Sequence, residues 1–391
     1  MVRTNPTLRS LGVLALLLTV CCVGAAFMRA HLCRPAIAGG RIPAARLLWD
    51  MPASGFRSIS FSPSGRYIST VSRSSEVACY DSSGTKLFLT VVPGADKAVT
   101  SPEGDCTVAY SHMNRAHTRL TFLDAKGRVH WQMDVSGSIW SADAANRGDE
   151  ACFAVGTGSR HVYLIRIRGA SKRYRRWRAP GVVCSVSLSA DCRSLFYGTW
   201  QRSSVSRSDL AGHKEWQLDR DPAYLHYVES LNGSDRLFAR SIANRQGNDG
   251  EVWLVESDGS VRNKLPLGAS ERTSAMPSPD GYYICTGYTK SIRHSAKTTQ
   301  EKHVALYDLE GRKLWDKGSL MFPTTPVLVT KGGCVLLAGS KNSIMAVSPA
   351  GEVKQVCKLP SAVNGSVPSR DGLRALLLCA DGRVRFLQVL P

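Results

Sequence analysis

The chain has 391 residues, of which 43% are hydrophobic and 21% are charged, and this balance excludes an intrinsically disordered protein. Its 50 Lys and Arg outnumber its 31 Asp and Glu, and the resulting net charge of +19 favours acidic partners such as phospholipid headgroups, nucleic acid or anionic polymers. The 12 cysteines include no CxxC pair, which excludes the common zinc-ribbon and thioredoxin-like motifs.

The N-terminal region predicts attachment to a membrane. A basic tail (residues 1–9) precedes an uncharged, mostly apolar segment (residues 10–28) that is long enough to cross a bilayer as a helix. The same pattern also fits a cleaved signal peptide or, with Leu18–Cys21 as the acylation motif, a lipoprotein signal. A retained anchor is the preferred interpretation. A linker (residues 29–43) follows, and we expect the remaining chain to lie outside the cytoplasm in a bacterial cell envelope.

A repeated hairpin fills the sequence from Ala44 onward. Its clearest copy is Val304–Trp315, in which two short alternating strands flank an Asp-x-x-Gly turn. Each unit also contains a second turn, written Ser-Pro-x-Gly at Ser62–Gly65, Ser101–Gly104 and Ser278–Gly281. Eight units of about 39 to 52 residues, with four strands each, predict an all-β, single eight-bladed β-propeller of antiparallel blades over residues 44–391.

The two ends of the repeat region predict how the ring closes. The eighth unit reaches its third strand at Val384–Val389 and shows no fourth strand after it. The segment Arg46–Asp50 reads like the fourth strand at Lys313–Asp316. We therefore expect the N-terminal strand to complete the last blade and to join it to the first.

The repeat resembles two known propeller families. The A-x-x-D-x-x-G-x-x-x-W pattern of Ala305, Asp308, Gly311 and Trp315 is similar to the tryptophan-docking motif of propellers in pyrroloquinoline quinone (PQQ) enzymes, and the Ser-Pro-x-Gly turns look like WD-type repeats. The resemblance covers residues 46–391 and concerns architecture. It implies that four tryptophans dock between neighbouring blades and are structural: Trp49, Trp131, Trp216 and Trp315. In length, blade count and N-terminal tether, the chain is also similar to the propeller lipoprotein of the outer-membrane protein assembly machinery.

The sequence offers little support for an enzyme. The PQQ-dependent dehydrogenases of the resembled family need a calcium site and a disulfide between adjacent cysteines, whereas the adjacent pair here, Cys21 and Cys22, lies in the apolar N-terminal segment. The motifs of serine hydrolases, zinc proteases and nucleotide-binding loops do not occur. His112 and His117 share a loop with a cation and have no third ligand, which argues against zinc. We predict no cofactor, no metal and no catalytic residue.

Two basic regions are candidate binding sites. One is the rim that carries the loops between second and third strands, of which Tyr288–Lys302 is the longest; its cations are Lys290, Arg293, Lys297, Lys302, Arg245 and Arg115. The other is a basic patch with seven cations in thirteen residues: Arg166, Arg168, Lys172, Arg173, Arg175, Arg176 and Arg178. The alternative for the patch is a solvated outer strand, with Trp177 packed inward.

The preferred function is a membrane-tethered propeller that binds a protein or an anionic envelope polymer without catalysis. A secretory segment argues against nucleic acid as the partner. The alternative function is a propeller enzyme, either a quinone-dependent oxidoreductase or a hydrolase, that uses the central funnel.

Overall fold

A computed structural model describes residues 42–53, 55–112, 116–200, 204–219, 224–231, 236–242, 250–268, 274–294, 297–318, 325–339 and 342–390. These residues form eight antiparallel sheets of four strands each, so the eight-bladed β-propeller predicted from the repeats is confirmed. The predicted N-terminal membrane segment (residues 10–28) lies outside the described residues. Among the described residues, no helix has the length and apolar character needed to span a membrane.

The first four blades follow the chain in order from the innermost strand outward. Blade 1 contains β2 (Phe56–Phe61), β3 (Tyr67–Ser72), β4 (Glu76–Asp81) and β5 (Lys86–Val91). Blade 2 contains β6 (Ala95–Thr100), β7 (Cys106–His112), β8 (His117–Asp124) and β9 (Val129–Ser136). Blade 3 contains β10 (Ile139–Arg147), β11 (Glu150–Thr157), β12 (His161–Arg168) and β13 (Ser171–Arg178). Blade 4 contains β14 (Val183–Leu188), β15 (Ser194–Thr199), β16 (Ser204–Asp209) and β17 (Lys214–Asp219).

The remaining blades continue in the same way, except that the last is built from both ends of the chain. Blade 5 contains β18 (Tyr224–Ser230), β19 (Leu237–Ile242), β20 (Gly250–Val255) and β21 (Val261–Gly268). Blade 6 contains β22 (Ser274–Pro277), β23 (Tyr283–His294), β24 (Lys297–Asp308) and β25 (Lys313–Gly318). Blade 7 contains β26 (Thr325–Val329), β27 (Val335–Ala338), β28 (Ser343–Val347) and β29 (Val353–Lys358). Blade 8 contains β30 (Val363–Pro368), β31 (Arg374–Cys379), β32 (Arg383–Leu390) and, as its outer strand, β1 (Ala44–Pro52).

The ring closes through β1, as the sequence predicts. β1 pairs antiparallel with β32 from Ala44–Leu390 to Pro52–Arg383. Trp49 of β1 stacks on Phe386 of β32, with ring centroids 5.1 Å apart, and its Nε1 donates a hydrogen bond of 3.1 Å to the Ser82 carbonyl of blade 1. The chain's first described strand therefore holds the last blade against the first.

The hairpin that joins the third and fourth strands has a specific turn chemistry. In blade 6, Asp308 Oδ1 accepts a hydrogen bond of 2.8 Å from the Arg312 backbone nitrogen, and Gly311 donates one of 3.0 Å to the Asp308 carbonyl. Gly311 has φ +78°, a left-handed value that favours glycine. Because this turn and the Ser-Pro-x-Gly turn each follow an odd-numbered strand of the blade, both lie on one rim, which we call the turn rim. The opposite rim, where second strands lead into third strands, is the loop rim.

The hydrophobic core lies between blades. One cluster joins blades 2 and 3, where the fully buried Phe122 and Phe153 meet edge to face at 5.8 Å. Middle strands such as β11 and β15 are buried on both faces because each is covered by the blade on either side. Exposed and half-buried residues alternate along the outer strand β1. Such stacking leaves two surfaces for recognition, the rims and the central axis.

Candidate functional site

Among the described residues of the loop rim, the most extended feature is a long hairpin in blade 6, which we call the blade-6 arm (residues 289–302). β22 pairs with β23 only as far as Gly287, and β25 pairs with β24 only as far as His303. From Thr289–Lys302 to His294–Lys297, the strands β23 and β24 pair only with each other among the described residues. At about 3.4 Å per residue, six such pairs extend roughly 20 Å beyond the four-stranded sheet.

A polar cluster anchors the base of the arm. Tyr288 and His303 are cross-strand partners with stacked rings 5.2 Å apart. Asp316 of β25 joins them, since it accepts a hydrogen bond of 2.5 Å from the Tyr288 hydroxyl and lies 2.9 Å from His303 Nδ1. Lys313 Nζ donates a hydrogen bond of 2.9 Å to the same carboxylate, and Glu301 lies 3.3 Å from His303 Nε2. The arm therefore begins from a fixed point.

The electrostatics of this cluster favour ionised Asp316. Burial alone would raise the pKa of Asp316, but hydrogen bonds from Tyr288, Lys313 and His303 outweigh it and lower the pKa to about 2. Conversely, burial and the Asp316 carboxylate raise the pKa of Tyr288, so that its hydroxyl stays protonated and donates. The cluster is thus a charge-assisted hydrogen-bond network at neutral pH.

The predicted rim residues divide into two groups. Lys290, Arg293 and Lys297 lie on the arm, and Lys302 ends it as an exposed residue. Arg245 and Arg115 lie outside the described residues. The interpretation of Tyr288–Lys302 as a loop is wrong, because the segment is a paired hairpin. The pairing brings its cations, which are up to twelve positions apart in the sequence, onto one protruding ribbon.

The predicted basic patch lies on the outer part of blade 3. Arg166 and Arg168 belong to β12, where Arg166 lies 3.8 Å from Glu150 and Arg168 lies 2.8 Å from Asp149. The other cations line β13, the outer strand, and are exposed except for Lys172: these are Lys172, Arg173, Arg175, Arg176 and Arg178. Several of these cations therefore already have partners within the protein.

Two cations of β13 and its tryptophan also connect neighbouring blades. Lys172 donates a hydrogen bond of 2.8 Å to the His130 carbonyl of blade 2, and Arg175 donates one of 3.2 Å to the Ala211 carbonyl of blade 4. Trp177 packs against Gly212 of blade 4, where a Cβ atom would lie 2.9 Å from its ring. These contacts favour the structural alternative for much of this strand.

The four predicted docking tryptophans are outer-strand residues, and three of them reach the next blade. Like Trp49, Trp216 and Trp315 donate hydrogen bonds of 2.9 Å from Nε1 to a turn carbonyl of the following blade, Ser257 and Ser348 respectively. Trp131 instead stacks on Phe122 of its own blade at 5.0 Å and packs on the cluster between blades 2 and 3.

A second candidate site lies on the propeller axis and was not predicted. Arg370 lies in the turn that follows the inner strand of blade 8, and its side chain crosses the central axis of the propeller. Its Nη2 lies 2.7 Å from Asp143 Oδ1 of blade 3 and 3.5 Å from Ser187 Oγ of blade 4, and its Nε lies 3.8 Å from Glu229 Oε1 of blade 5. The Tyr227 hydroxyl donates a hydrogen bond of 3.0 Å to Glu229 Oε2. We call these four ionisable residues, Arg370, Asp143, Glu229 and Tyr227, the axial cluster.

The charges of the axial cluster are set by opposing effects. Burial raises the pKa of Glu229, although Arg370 opposes this increase. Burial alone would lower the pKa of Arg370, but Asp143 and Glu229 raise it, so the guanidinium stays charged. The Asp143 carboxylate also accepts backbone hydrogen bonds of 2.8 Å from Ala144 and 2.7 Å from Leu188. Asp143 is therefore well satisfied, whereas Glu229 Oε1 has among the described residues only the 3.8 Å ion pair to Arg370.

The axial cluster borders a cavity of about 280 Å³. One side of it carries the cluster, and much of the rest is apolar, formed by Met276, Pro277, Val329, Val367 and Pro368. A second cavity of about 550 Å³ shares Ser60, Val99, Ala142 and Val367 with the first, and it also includes Arg57 and Trp140 near the starts of inner strands. The two cavities are therefore consecutive along the axis, the first towards the turn rim and the second towards the loop rim.

The sequence did contain a signal for the axial cluster. Asp143 of β10 and Glu229 of β18 are carboxylates within innermost strands. The innermost strands β2 and β14 carry mainly apolar and hydroxyl residues instead, at Ser58–Phe61 and Val183–Leu188. Within the described residues, no group of three or more His, Cys, Asp or Glu side chains could hold a metal ion.

Solved structures share this fold at low sequence identity. The Dos1 propeller matches with a TM-score of 0.64 and 11% identity, over 88% of this chain and 95% of its own. BamB from Moraxella catarrhalis matches with a TM-score of 0.58 and 15% identity, over 88% and 99% respectively. The hydrazine synthase of Kuenenia stuttgartiensis matches with a TM-score of 0.51 and 14% identity, over 76% and 96% respectively. No protein-family model and no curated protein sequence matches the chain. The likenesses show the β-propeller fold alone.

Proposed function

We propose that this protein is a non-enzymatic, membrane-tethered scaffold that binds an acidic protein or anionic envelope polymer through the blade-6 arm. The observation that carries the proposal is the extension of six residue pairs beyond the blade-6 sheet. An isolated two-stranded hairpin is marginally stable in water, so an arm of this length needs an anchor. The Tyr288–Asp316–His303 contacts supply one.

The charge of the arm indicates the class of partner. Residues 289–302 contain Lys290, Arg293, Lys297 and Lys302 against the single acid Glu301, a net charge of +3 with histidine neutral. A basic ribbon attracts acidic surfaces and accelerates their association. Its two strands also have no second neighbour among the described residues, and an open strand edge is a common docking site for an extended peptide.

The remaining parts of the proposal rest on the sequence. The uncharged segment at residues 10–28 would tether the propeller to the membrane, with the blades in the envelope of a bacterial cell. The predicted ring of blades supplies a rigid base from which the arm projects. The Dos1 and BamB neighbours support a propeller scaffold, and the partner is argued from the arm alone.

The test is affinity capture of the tagged full-length protein from its own membranes, with three variants. The first replaces residues 289–302 with Asn-Gly, because Tyr288 and His303 are cross-strand partners that a two-residue turn can join. The second changes Lys290, Arg293, Lys297 and Lys302 to Glu. The matched control changes four cations of β13 to Glu: Arg173, Arg175, Arg176 and Arg178.

We expect the same partner to be lost from both arm variants and retained by the β13 variant. Capture by the wild type should also weaken as salt increases, since the proposed contact is electrostatic. Circular dichroism checks that each variant keeps its strands. Retention of the partner by both arm variants, or its loss from the β13 variant alone, would contradict the assignment of binding to the arm.

A further inference from the structure

We propose that the axial cavity is a separate site that binds a small zwitterion, an α-amino acid with an apolar side chain. Arg370 would hold the carboxylate of this ligand, Glu229 its ammonium group, and the apolar side of the cavity its side chain. The inference concerns the axis and does not depend on the blade-6 arm.

The first argument is the incomplete pairing of the axial cluster. Arg370 uses Nη2 for Asp143 and Ser187, and its Nη1 has no hydrogen-bond partner among the described residues. Glu229 uses Oε2 for the Tyr227 hydroxyl, and its Oε1 has within the described chain only the long 3.8 Å ion pair to Arg370. The two side chains are largely withdrawn from water, and a ligand that supplies one anionic and one cationic group would complete the pairing of both.

The second argument is the alternation of charge. A simple anion at Arg370 would face the carboxylates of Asp143 and Glu229, and a simple cation at Glu229 would face the guanidinium 3.8 Å away. A zwitterion places its carboxylate on the cation and its ammonium on the carboxylate. Arg370 Nε and Glu229 Oε1 are 3.8 Å apart, which suits the short separation of the two charged groups in an α-amino acid.

The third argument is the size and composition of the cavity. Its volume of about 280 Å³ lies at the small end of ligand pockets and far above the space that a single water needs. Met276, Val329 and Val367 line it and would contact an aliphatic side chain. The exposed fractions of the charged side chains are small, at 21% for Arg370 and 18% for Glu229, so ionic contacts there are shielded from water.

The test is calorimetric titration of the purified full-length chain with L-leucine and with two matched analogues. The analogue 4-methylpentanoate lacks the ammonium group, and 3-methylbutylamine lacks the carboxylate. A thermal-shift screen of the twenty L-amino acids precedes the titration, and we expect L-leucine or another apolar amino acid to bind. The two analogues of that amino acid, one without the ammonium group and one without the carboxylate, should bind at least about 10-fold more weakly, because each loses a charge-assisted contact.

Variants separate binding from folding. Glu229→Gln keeps the shape of the side chain and should weaken binding of the amino acid at least about 10-fold. Arg370→Gln should also weaken binding of the amino acid. If the unpaired Asp143 carboxylate prevents this variant from folding, the double variant Arg370→Gln/Asp143→Asn removes both charges and replaces it in the titration. Arg374→Gln is the matched control: Arg374 follows the same turn and pairs with Asp371 at 2.6 Å, and its loss should leave the affinity unchanged.

Three results would overturn the proposal. They are the absence of any thermal shift or heat with the twenty amino acids at about 10 mM, an analogue that binds as tightly as its amino acid, and an unchanged affinity in Glu229→Gln. The variant with the shortened blade-6 arm should still bind the amino acid. Loss of partner capture by the arm and loss of amino-acid binding at the axis can therefore be distinguished.

Discussion

The carboxylate of Asp316 is the centre of the anchor under the blade-6 arm, and Asp316→Asn is the most informative single substitution there. It keeps the size of the side chain and removes its charge. The neutral amide loses the ionic part of its contact with Lys313 and weakens the hydrogen bonds from His303 and Tyr288. We expect this variant to be less stable than the wild type at neutral pH.

The magnitude follows from the pKa of Asp316. Burial opposes ionisation, but the hydrogen bonds from Tyr288, Lys313 and His303 lower the pKa from its usual 3.8 to about 2. A shift of that size corresponds to about 2.4 kcal/mol, at 1.36 kcal/mol per unit. Because the side chain is 26% exposed and solvent screens it, we expect a loss of about 1 kcal/mol. The depressed pKa makes this contribution fully present above pH 3.8 and lost as the pH falls towards 2.

The assay is urea unfolding of the wild type and Asp316→Asn, followed by tryptophan fluorescence, at pH 7, pH 5 and about pH 2.5. The difference in unfolding free energy should be similar at the two higher pH values and should shrink at the lowest. Asp149→Asn is the control, since Asp149 makes a surface ion pair with Arg168 and its side chain is 69% exposed. A difference that stays constant down to the lowest pH would refute the electrostatic account of the anchor.

Three further outcomes concern the ring and its thiols. Trp216→Ala should lower the free energy of unfolding by about 2 kcal/mol in urea titration, because the half-buried Trp216 packs on the Gly259 turn of the next blade. An unchanged midpoint would show that this docking contributes little. Gly84→Ala should cost at least about 1 kcal/mol by the same assay, because φ is +86° and a Cβ atom would lie 2.9 Å from the Trp49 ring; a neutral effect would contradict tight closure. Burial raises the pKa of Cys106 to about 12, so iodoacetamide at pH 8 should modify this thiol only after the protein is unfolded in guanidinium. Mass spectrometry measures the modification, and rapid labelling of the native protein would contradict the burial of Cys106.

The fold could be predicted because its determinants are local and repeated. Each Asp-x-x-Gly turn specifies its own hairpin through hydrogen bonds within five residues, as at Asp308–Arg312. Eight repeats of the four-stranded unit, in which other residues replace this Asp in four blades, then fix the number of blades. Ring closure was also predictable, since Arg46–Asp50 carries the pattern of an outer strand that the last unit lacks. The PQQ-like or WD-type assignment of the repeats stays a prediction.

The blade-6 arm could be located in the sequence but its structure could not. A strand packed on one face shows alternation of apolar and polar residues, whereas a two-stranded ribbon outside the sheet has no buried face to impose that period. Residues 289–302 contain mostly polar and charged side chains and read as a loop. The pairing is fixed instead by the strands that lead into it, through the register at Tyr288 and His303.

The axial cluster could not be predicted from local sequence patterns, because its contacts depend on the closure of the whole ring. Asp143 precedes Arg370 by 227 positions, and no turn or strand motif relates them. Blade 8 lies across the axis from blades 3, 4 and 5 because the ring has eight members, and the same arginine would meet other partners in a ring of seven or nine. The pairing of Arg370 from one side of the ring with Asp143 and Glu229 from the other is therefore a consequence of ring closure. Through these contacts the axial cluster connects blade 8 to blades 3 and 5.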